Sequence, residues 1–237
     1  MFGNAGYPGS KMAMGAYQAI INQIPKCKVF IELFAGSAAV SSKLSMSPGF
    51  IVVLNDIDYE ISYSLLSSVP SGITVFNKDY RDIIKAFDCL EDVVFFADPP
   101  YEMSVRSSQR KYYRHDFEMS DTLDFISSMR SVNNKVIVTH YPCELYDNSF
   151  ETWRKVDYES MTRGGLRLER MYLNFEMSVL QCCDYVGNDY TDRQRLLRKA
   201  VRWKRKLSML PANEQQYIVK YMSMPAESIS DIYFLHS

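Results

Sequence analysis

Short apolar runs alternate along the chain with segments whose apolar positions recur at helical spacing. Val93–Ala97, for example, reads VVFFA and has the length and the β-branched and aromatic content of a buried strand. The pattern predicts, in order, β 29–34, α 37–46, β 51–54, α 59–68, β 73–76, α 81–87, β 93–97, α 119–131, β 135–139, a short helix, β 152–158 and β 169–176. Strands that alternate with helices favour an α/β fold with a doubly wound, mostly parallel Rossmann-like sheet.

The last two predicted strands are separated only by a short turn around Arg163-Gly164-Gly165. Antiparallel strands can be joined by so short a turn, whereas parallel strands need a long crossover. We therefore expect an antiparallel pair at one edge of the sheet. Beyond it, the sequence predicts a division into a domain at 1–182 and a small C-terminal helical extension at 183–237.

The extension begins with a basic helix at 193–206, where RQRLLRKAVRWKRK holds eight Lys and Arg residues and no acid. Its apolar positions share one helical face, so we expect that face to pack on the domain and the other to meet phosphate. The candidate phosphate contacts are Arg198, Arg202 and Arg205. A solvated helix face and a membrane-binding helix are the alternatives. A second helix is predicted at about 213–222.

The strand 93–97 is followed directly by Asp98, Pro99, Pro100 and Tyr101. Each proline fixes its own φ and drives the preceding residue towards extended geometry. The Asp98 carboxylate and the Pro99 carbonyl should therefore be two fixed acceptors beside the Tyr101 ring. They suit a planar amine such as that of adenine, because accepting both hydrogens localises the nitrogen lone pair and aims it at an electrophile. Taken alone, the tetrapeptide favours a simple Asp-Pro turn.

Three further strands end in features that suit a nucleoside ligand. Gly36, the one glycine of VFIELFAGSAAV (29–40), lets the backbone approach a ligand closely, although a lone glycine is not the G-x-G-x-x-G fingerprint. Asp56 follows the strand 51–54, at the position that binds ribose hydroxyls in nucleoside-binding α/β folds. Asp79, beside Tyr80, follows the strand 73–76 and can accept from an adenine amine. Each acid alone is typical of a turn or helix cap, but the set favours a shared ligand-binding edge.

With these motifs in this order, the chain resembles the Dam-type, adenine-specific DNA methyltransferases, in particular their short phage-like members. The resemblance covers about residues 5–176. It runs through YPGSK (7–11), IELFAGSAAV (31–40), LNDID (54–58), NKDY (77–80), FADPPY (96–101), YYRHDFEMSD (112–121), KVIVTHY (135–141) and RLERMYLNF (167–175). It implies a methyltransferase sheet and S-adenosylmethionine as the cofactor.

The resemblance also implies a role for each motif. The target adenine would be held by Asp98, Pro99, Pro100 and Tyr101. The cofactor would contact Tyr7 and Lys11 at its methionine end, Phe34, Ala35, Gly36 and Ser37 along the loop, Asp56 at its ribose, and Asp79 and Tyr80 at its adenine.

The main departure from the family concerns target recognition. Dam-type enzymes carry a long helical insertion between the positions of Asp56 and Asp79, whereas here 22 residues intervene. DNA contact must then come from elsewhere, or specificity must be low, or the substrate must differ. The segment 103–114 follows the catalytic motif with four basic residues and no acid, and is either a solvated loop or the lip of a base-flipping pocket. Its candidate nucleic-acid contacts are Arg106, Arg110, Lys111 and Arg114.

The composition fits one α/β domain with a small appendage. The 237 residues are 47% apolar and have a formal net charge of −1, so nucleic-acid binding would depend on local basic patches. Five cysteines without a C-x-x-C pair predict neither a zinc site nor disulfides, and favour a reducing, cytoplasmic compartment in a bacterium or phage-infected host. No metal is predicted. The chain has neither a long apolar run nor a signal peptide, so we expect no membrane partner.

The sequence therefore predicts transfer of a methyl group from S-adenosylmethionine to the exocyclic amine of a base-flipped adenine in double-stranded DNA. The target motif should be short or degenerate. An orphan or phage enzyme, a restriction-modification component and a homodimer are all compatible with the sequence. The alternatives are methylation of RNA or single-stranded DNA, methylation of the cytosine amine, and a non-catalytic protein that binds nucleic acid or assembles with a partner.

Overall fold

A computed structural model describes residues 11, 15–44, 48–101, 117–162, 165–187 and 189–224. The chain forms two compact units, the first ending at Tyr185 and the second beginning at Val186. Tyr185 is tied into the first unit because its ring meets that of Tyr17 edge-on at 5.4 Å and its carbonyl accepts from the Asn22 side chain at 2.7 Å.

Seven described strands of the first unit form one sheet. They are β1 (Val29–Glu32), β2 (Ile51–Asn55), β3 (Ile73–Phe76), β4 (Val93–Ala97), β5 (Lys135–His140), β6 (Arg154–Thr162) and β7 (Gly165–Leu173). Their order across the sheet is β3-β2-β1-β4-β5-β7-β6. The strands β1 to β5 are parallel, whereas β7 is antiparallel to both β5 and β6. The predicted Rossmann-like sheet with an antiparallel pair at its edge is confirmed.

The central strands are apolar because both faces of the sheet are covered. Every residue of β1 and β4 is buried. Since successive side chains of a strand point to opposite faces, Phe30 and Phe96 pack in one core while Ile31 and Phe95 pack in the other. Each such side chain contributes about 1.5–3 kcal/mol on burial, so these strands fix the position of the residues that follow them.

Helices lie on both faces of the sheet, as a doubly wound fold requires. They are α1 (Ala16–Ile21), α2 (Tyr59–Ser68), α3 (Tyr80–Phe87), α4 (Met119–Ser131) and α5 (Glu144–Ser149). The first two contribute to the core around Phe30, and the other three to the core around Phe95. The helix α1 was not predicted, because six residues are too few to show a helical period.

The predicted helix at 37–46 is wrong. The described part of this segment holds only a short 3-10 turn at Ser41–Lys43. Gly36 and Ala38 have left-handed backbones, with φ of 48° and 50°, and a right-handed helix cannot run through such residues. The buried Glu32 carboxylate instead accepts hydrogen bonds from the Ser41 amide and hydroxyl, which fixes a loop after β1.

The second unit contains α6 (Tyr190–Ser208) and α7 (Ala212–Met222). Asp189 caps α6 by accepting from the Asp192 amide at 2.7 Å, and Arg205 and Lys206 lie in its last turn, where cations favour the helix dipole. Both helices were predicted, although α6 is longer at each end. Neither contains a buried residue, and the packing of the apolar face of α6 on the domain stays a prediction.

Across the described ranges, no helix has both the length and the apolar character needed to cross a membrane.

Two glycines allow a matched stability test. Gly15 has a φ of 104°, and a Cβ there would lie 2.9 Å from the Glu159 carbonyl oxygen; Gly49 has a φ of 80°, but a Cβ there would meet no atom within 4 Å. We expect Gly49→Ala to lower the free energy of unfolding by about 1 kcal/mol through backbone strain. Gly15→Ala should lose about 2–4 kcal/mol because the clash adds to the strain. Equal losses in denaturant unfolding would contradict this steric explanation.

Candidate active site

The parallel strands of the sheet bring the predicted acids to one edge. Asp98 directly follows β4, Asp56 directly follows β2, and Asp79 caps α3 shortly after β3. The carboxyl ends of parallel strands form the ligand edge of such sheets. The structure thus gathers the three acids on the edge where the sequence predicted a site, together with Glu32 at the end of β1.

A buried cluster of charged groups surrounds Asp98. The Lys11 Nζ lies 2.9 Å from Asp98 Oδ1 and 3.1 Å from Oε2 of Glu169. Thr139, in β5, donates its hydroxyl to the same Asp98 Oδ1 at 2.7 Å. The side chains of Lys11 and Glu169 are only 7% and 5% exposed. One ammonium therefore joins two carboxylates with little screening by water.

Tyr101 closes the cluster through its hydroxyl. This oxygen accepts from Lys11 Nζ at 2.8 Å and lies 3.0 Å from Asp98 Oδ1 and 2.9 Å from Glu169 Oε2. A phenol has one proton, so it donates to one of the two carboxylates at a time. The ring packs on His140 and meets Tyr141 edge-on, with centroid distances of 4.8 and 4.7 Å. Sequence reasoning used only the ring of Tyr101, whereas the structure fixes its hydroxyl as well.

Glu169 is the charged member of this cluster that the sequence prediction missed. It lies in β7 opposite Tyr158 of β6, and accepts from the hydroxyl of Tyr158 at 2.8 Å and from that of Ser160. One signal was present: with a period of two, Glu169 shares a face with the buried Met171. A buried acid requires a partner, but that partner, Lys11, lies far away in the sequence.

The charges of this cluster stabilise one another. Burial would raise the pKa of Glu169, but Lys11 and the hydroxyls of Ser160 and Tyr158 hold it at about 2. Burial would lower the pKa of Lys11, but Asp98 and Glu169 keep it above its ordinary value. The pKa of Asp98 is raised by burial, with Lys11 opposing and Glu169 adding to the effect. Lys11 and Glu169 are therefore charged at neutral pH.

The predicted cofactor loop is fixed by Asp56. The Gly36 amide donates to Asp56 Oδ2 at 2.8 Å, and the Asp58 amide donates to Oδ1 at 3.0 Å. The side chain of Asn55 donates to the Leu33 carbonyl at 3.0 Å and so ties the end of β2 to the start of the loop. Asp56 therefore orders the loop. Its predicted contact with a ribose would be an additional role of the same carboxylate.

Aromatic side chains line the edge beside this loop. The rings of Phe34 and Tyr80 lie 5.3 Å apart, and both pack on Phe125, at 5.8 and 5.7 Å. Tyr80 is buried in this cluster, whereas Phe34 is half-buried, as is Gly36. The other two predicted loop contacts, Ala35 and Ser37, are buried.

The Asp79 carboxylate is paired with Arg81. The Arg81 Nε donates to Oδ1 at 2.9 Å and its Nη2 donates to Oδ2 at 2.8 Å. These hydrogen bonds, with the backbone amide of Arg81, lower the pKa of Asp79. The structure therefore gives Asp79 a helix-cap role, and its contact with a cofactor stays a prediction.

The remaining predicted contacts are the basic ones. Arg198, Arg202 and Arg205 are exposed on α6 in the second unit. Tyr7, Arg106, Arg110, Lys111 and Arg114 lie outside the described residues. Within the described part of the chain, no group of His, Cys, Asp or Glu is arranged to hold a metal ion.

The amino-terminal part of the chain matches a known family. Residues 7–69 match the model of the D12 class N6 adenine-specific DNA methyltransferases. The predicted family resemblance, which covers about residues 5–176, is confirmed over residues 7–69. The matched segment contains Lys11, the loop 34–37 and Asp56, and it ends before Asp79 and the motif 98–101.

Solved structures show remote similarity. A Haemophilus influenzae protein described as a methylase is 20% identical, with 67% of this chain and 84% of that chain covered and a TM-score of 0.38. A Plasmodium falciparum dimethyladenosine transferase is 12% identical, with coverages of 73% and 63% and a TM-score of 0.42. A precorrin 8w decarboxylase from Methanobacterium thermoautotrophicum is also 12% identical, with coverages of 74% and 97% and a TM-score of 0.43. At this distance we transfer no activity from them. No curated protein matches the chain.

Glu169→Gln should destabilise the protein in a pH-dependent way. At pH 7 the variant leaves the buried Lys11 ammonium with one carboxylate, and we expect a loss of about 2–4 kcal/mol in the free energy of unfolding. The pKa of Glu169 falls from 4.5 to about 2 on folding, so its stabilisation is complete above pH 4.5 and is lost as the pH falls towards 2. Denaturant unfolding at several pH values should show the difference from wild type shrinking across this window.

Glu151, an exposed acid in the connection between α5 and β6, provides the control. Glu151→Gln should differ little from wild type at every pH. A loss in Glu169→Gln that is the same at pH 7 and pH 3 would show that the carboxylate charge does not contribute.

Proposed function

We propose that this protein transfers a methyl group from S-adenosylmethionine to the exocyclic amine of adenine in DNA. The observation that carries the proposal is the arrangement of donors around Asp98. Lys11, Thr139 and Tyr101 all converge on Oδ1, and no described residue donates to Oδ2. The second oxygen is therefore left for a donor on a substrate, at the carboxyl edge of the central strand.

The amine of the target base would be held by two acceptors. Asp98 Oδ2 and the Pro99 carbonyl would each accept one amine hydrogen, which localises the nitrogen lone pair for attack. Lys11 favours the carboxylate form of Asp98 although burial disfavours it, and the prolines keep the acceptors rigid. The nitrogen becomes acidic once it is methylated, so the proton leaves without a dedicated histidine base.

The residues around Gly36 fit a nucleoside cofactor. S-adenosylmethionine, when bound, supplies an electrophilic methyl group. The half-buried Phe34 offers an aromatic surface, Gly36 allows close backbone approach, and Asp56 lies where a ribose would be bound. Asp79 would accept from the cofactor amine beside its bond to Arg81. Tyr7 would hold the methionine end, whereas the three N–H groups of Lys11 already meet Asp98, Glu169 and Tyr101, so Lys11 would act by fixing Asp98.

DNA is the substrate that the matched family indicates. Between Asp56 and Asp79 the structure contains only α2 and β3, so a recognition domain is missing from the place where Dam-type enzymes carry it. We infer a short or degenerate motif, a flipped adenine, and phosphate contacts from the segment 103–114 and from α6. The same absence makes RNA or single-stranded DNA the second candidate.

Mass spectrometry of nucleosides would test the substrate directly. The protein is incubated with isotopically labelled S-adenosylmethionine and with duplex DNA, single-stranded DNA or RNA, and the polymers are then digested. We expect labelled N6-methyladenine from duplex DNA. Label on cytosine would indicate methylation of the cytosine amine, and label on RNA alone would indicate an RNA substrate. Nucleic-acid binding without any label would support a non-catalytic role.

Two acids should separate cofactor binding from chemistry. Asp98→Ala should abolish methylation while the cofactor affinity, measured by calorimetry, stays within a few-fold of wild type. Asp56→Ala should weaken cofactor binding about tenfold or more, because a good polar contact contributes roughly 1–3 kcal/mol. Unfolding curves check that both variants are folded. Methylation at the wild-type rate by Asp98→Ala would refute the proposed mechanism.

The basic face of α6 should contribute equally to the binding of all DNA sequences. Neutralising Arg198, Arg202 and Arg205 removes phosphate contacts, which carry no base information. Affinity should fall without a change in the methylated motif, and the log–log salt slope should fall by nearly one for each lost contact. An unchanged affinity and slope in the triple variant would place DNA binding elsewhere.

A further inference from the structure

The β6–β7 hairpin extends beyond the ligand edge of the sheet. The last residue of β5, His140, pairs with Arg170, whose partner in β6 is Asp157. Five further residue pairs follow, from Tyr158 and Glu169 to Thr162 and Gly165. At about 3.4 Å per residue this ribbon reaches roughly 15 Å past the edge.

The two faces of this ribbon differ in character. On the face that carries Glu169, the next residue towards the tip is Arg167, since side chains two residues apart in a strand share a face. The opposite face exposes Met161, Leu166 and Leu168. Among the described residues, Arg167 is therefore the cation on the ribbon face that carries Glu169, just beyond the buried cluster.

Arg167 lies against the aromatic residues of the candidate site. Its guanidinium is 5.4 Å from the centroid of the Tyr141 ring, and Tyr141 in turn meets Tyr101 at 4.7 Å. Arg170, three residues further on, is paired with both Asp147 and Asp157. In contrast, no described carboxylate forms an ion pair with Arg167. A partly exposed positive charge with no acidic partner among the described residues thus lies one aromatic ring away from Tyr101.

We propose that Arg167, supported by Tyr141, binds the backbone phosphate next to the target nucleotide of duplex DNA. The inference rests on the proposed function, because it places the target base against Asp98 and Tyr101. A base held by Asp98 and Tyr101 brings its own phosphates close to these residues, and Arg167 lies one aromatic ring away from Tyr101. A two-stranded ribbon also fits the major groove of B-DNA. In the absence of the recognition insertion, the hairpin would then provide a DNA contact close to the target nucleotide.

Equilibrium binding in the absence of cofactor tests this contact. A fluorescent duplex of mixed sequence is titrated by anisotropy at several salt concentrations with wild type, Arg167→Ala, Arg167→Lys and Lys155→Gln. Lys155 is a cation on the same hairpin, but it pairs with Tyr172 below the ligand edge. Arg167→Ala should bind about five- to tenfold more weakly and lose nearly one unit of salt slope. Arg167→Lys should keep the slope, and Lys155→Gln should match wild type.

Three results would overturn the proposal: wild-type affinity and slope in Arg167→Ala, an equal loss of slope in Lys155→Gln, or binding by wild type to single strands or RNA but not to duplex DNA. Unfolding curves confirm that the variants are folded. Methylation assays separate this inference from the proposed function. If duplex binding depends on Arg167 but no methyl group is transferred, the Arg167 contact is supported and the proposed reaction is refuted. If Arg167→Ala methylates duplex DNA and binds it with wild-type affinity, the proposed reaction is supported and the Arg167 contact is refuted.

Discussion

The ammonium of Lys11, placed between the carboxylates of Asp98 and Glu169, connects parts of the chain that the sheet alone does not fix relative to one another. Lys11 comes from the segment before α1, Asp98 from the end of β4, and Glu169 from the hairpin. Removing water makes each of these charges costly unless the others are present. The position of the motif 98–101 therefore depends on a residue nearly 90 positions away.

The same cluster explains how one carboxylate can serve structure and substrate at once. The described donors meet Asp98 on one oxygen, and Tyr101 is fixed by its hydroxyl and by its ring. Preorganised polar groups of this kind need no rearrangement when a substrate arrives. The predicted cofactor loop is ordered separately, because Asp56 fixes the loop at Gly36 without contacting Asp98 in the described structure.

Local patterns predicted what depends on local causes. The strand β4 and the turn after it could be read because five buried apolar residues and two prolines act within a few positions, and parallel pairing then placed Asp56, Asp79 and Asp98 on one edge. The role of Glu169 could not be read, because its partner is distant in the sequence. The predicted helix at 37–46 is wrong for another reason: the residues favour a helix, but Gly36 and Ala38 adopt left-handed backbones, and the buried Glu32 carboxylate accepts from Ser41 and so stabilises a loop there.

Tyr101 carries one hydroxyl proton between two carboxylates at nearly equal distances, 3.0 Å and 2.9 Å. A hydrogen atom that turns from Glu169 towards Asp98 withdraws electron density from the carboxylate that would face a substrate, and the reverse turn restores it. No heavy atom has to move for this change. The basicity of the acceptor thus depends on the rotation of a single C–O bond.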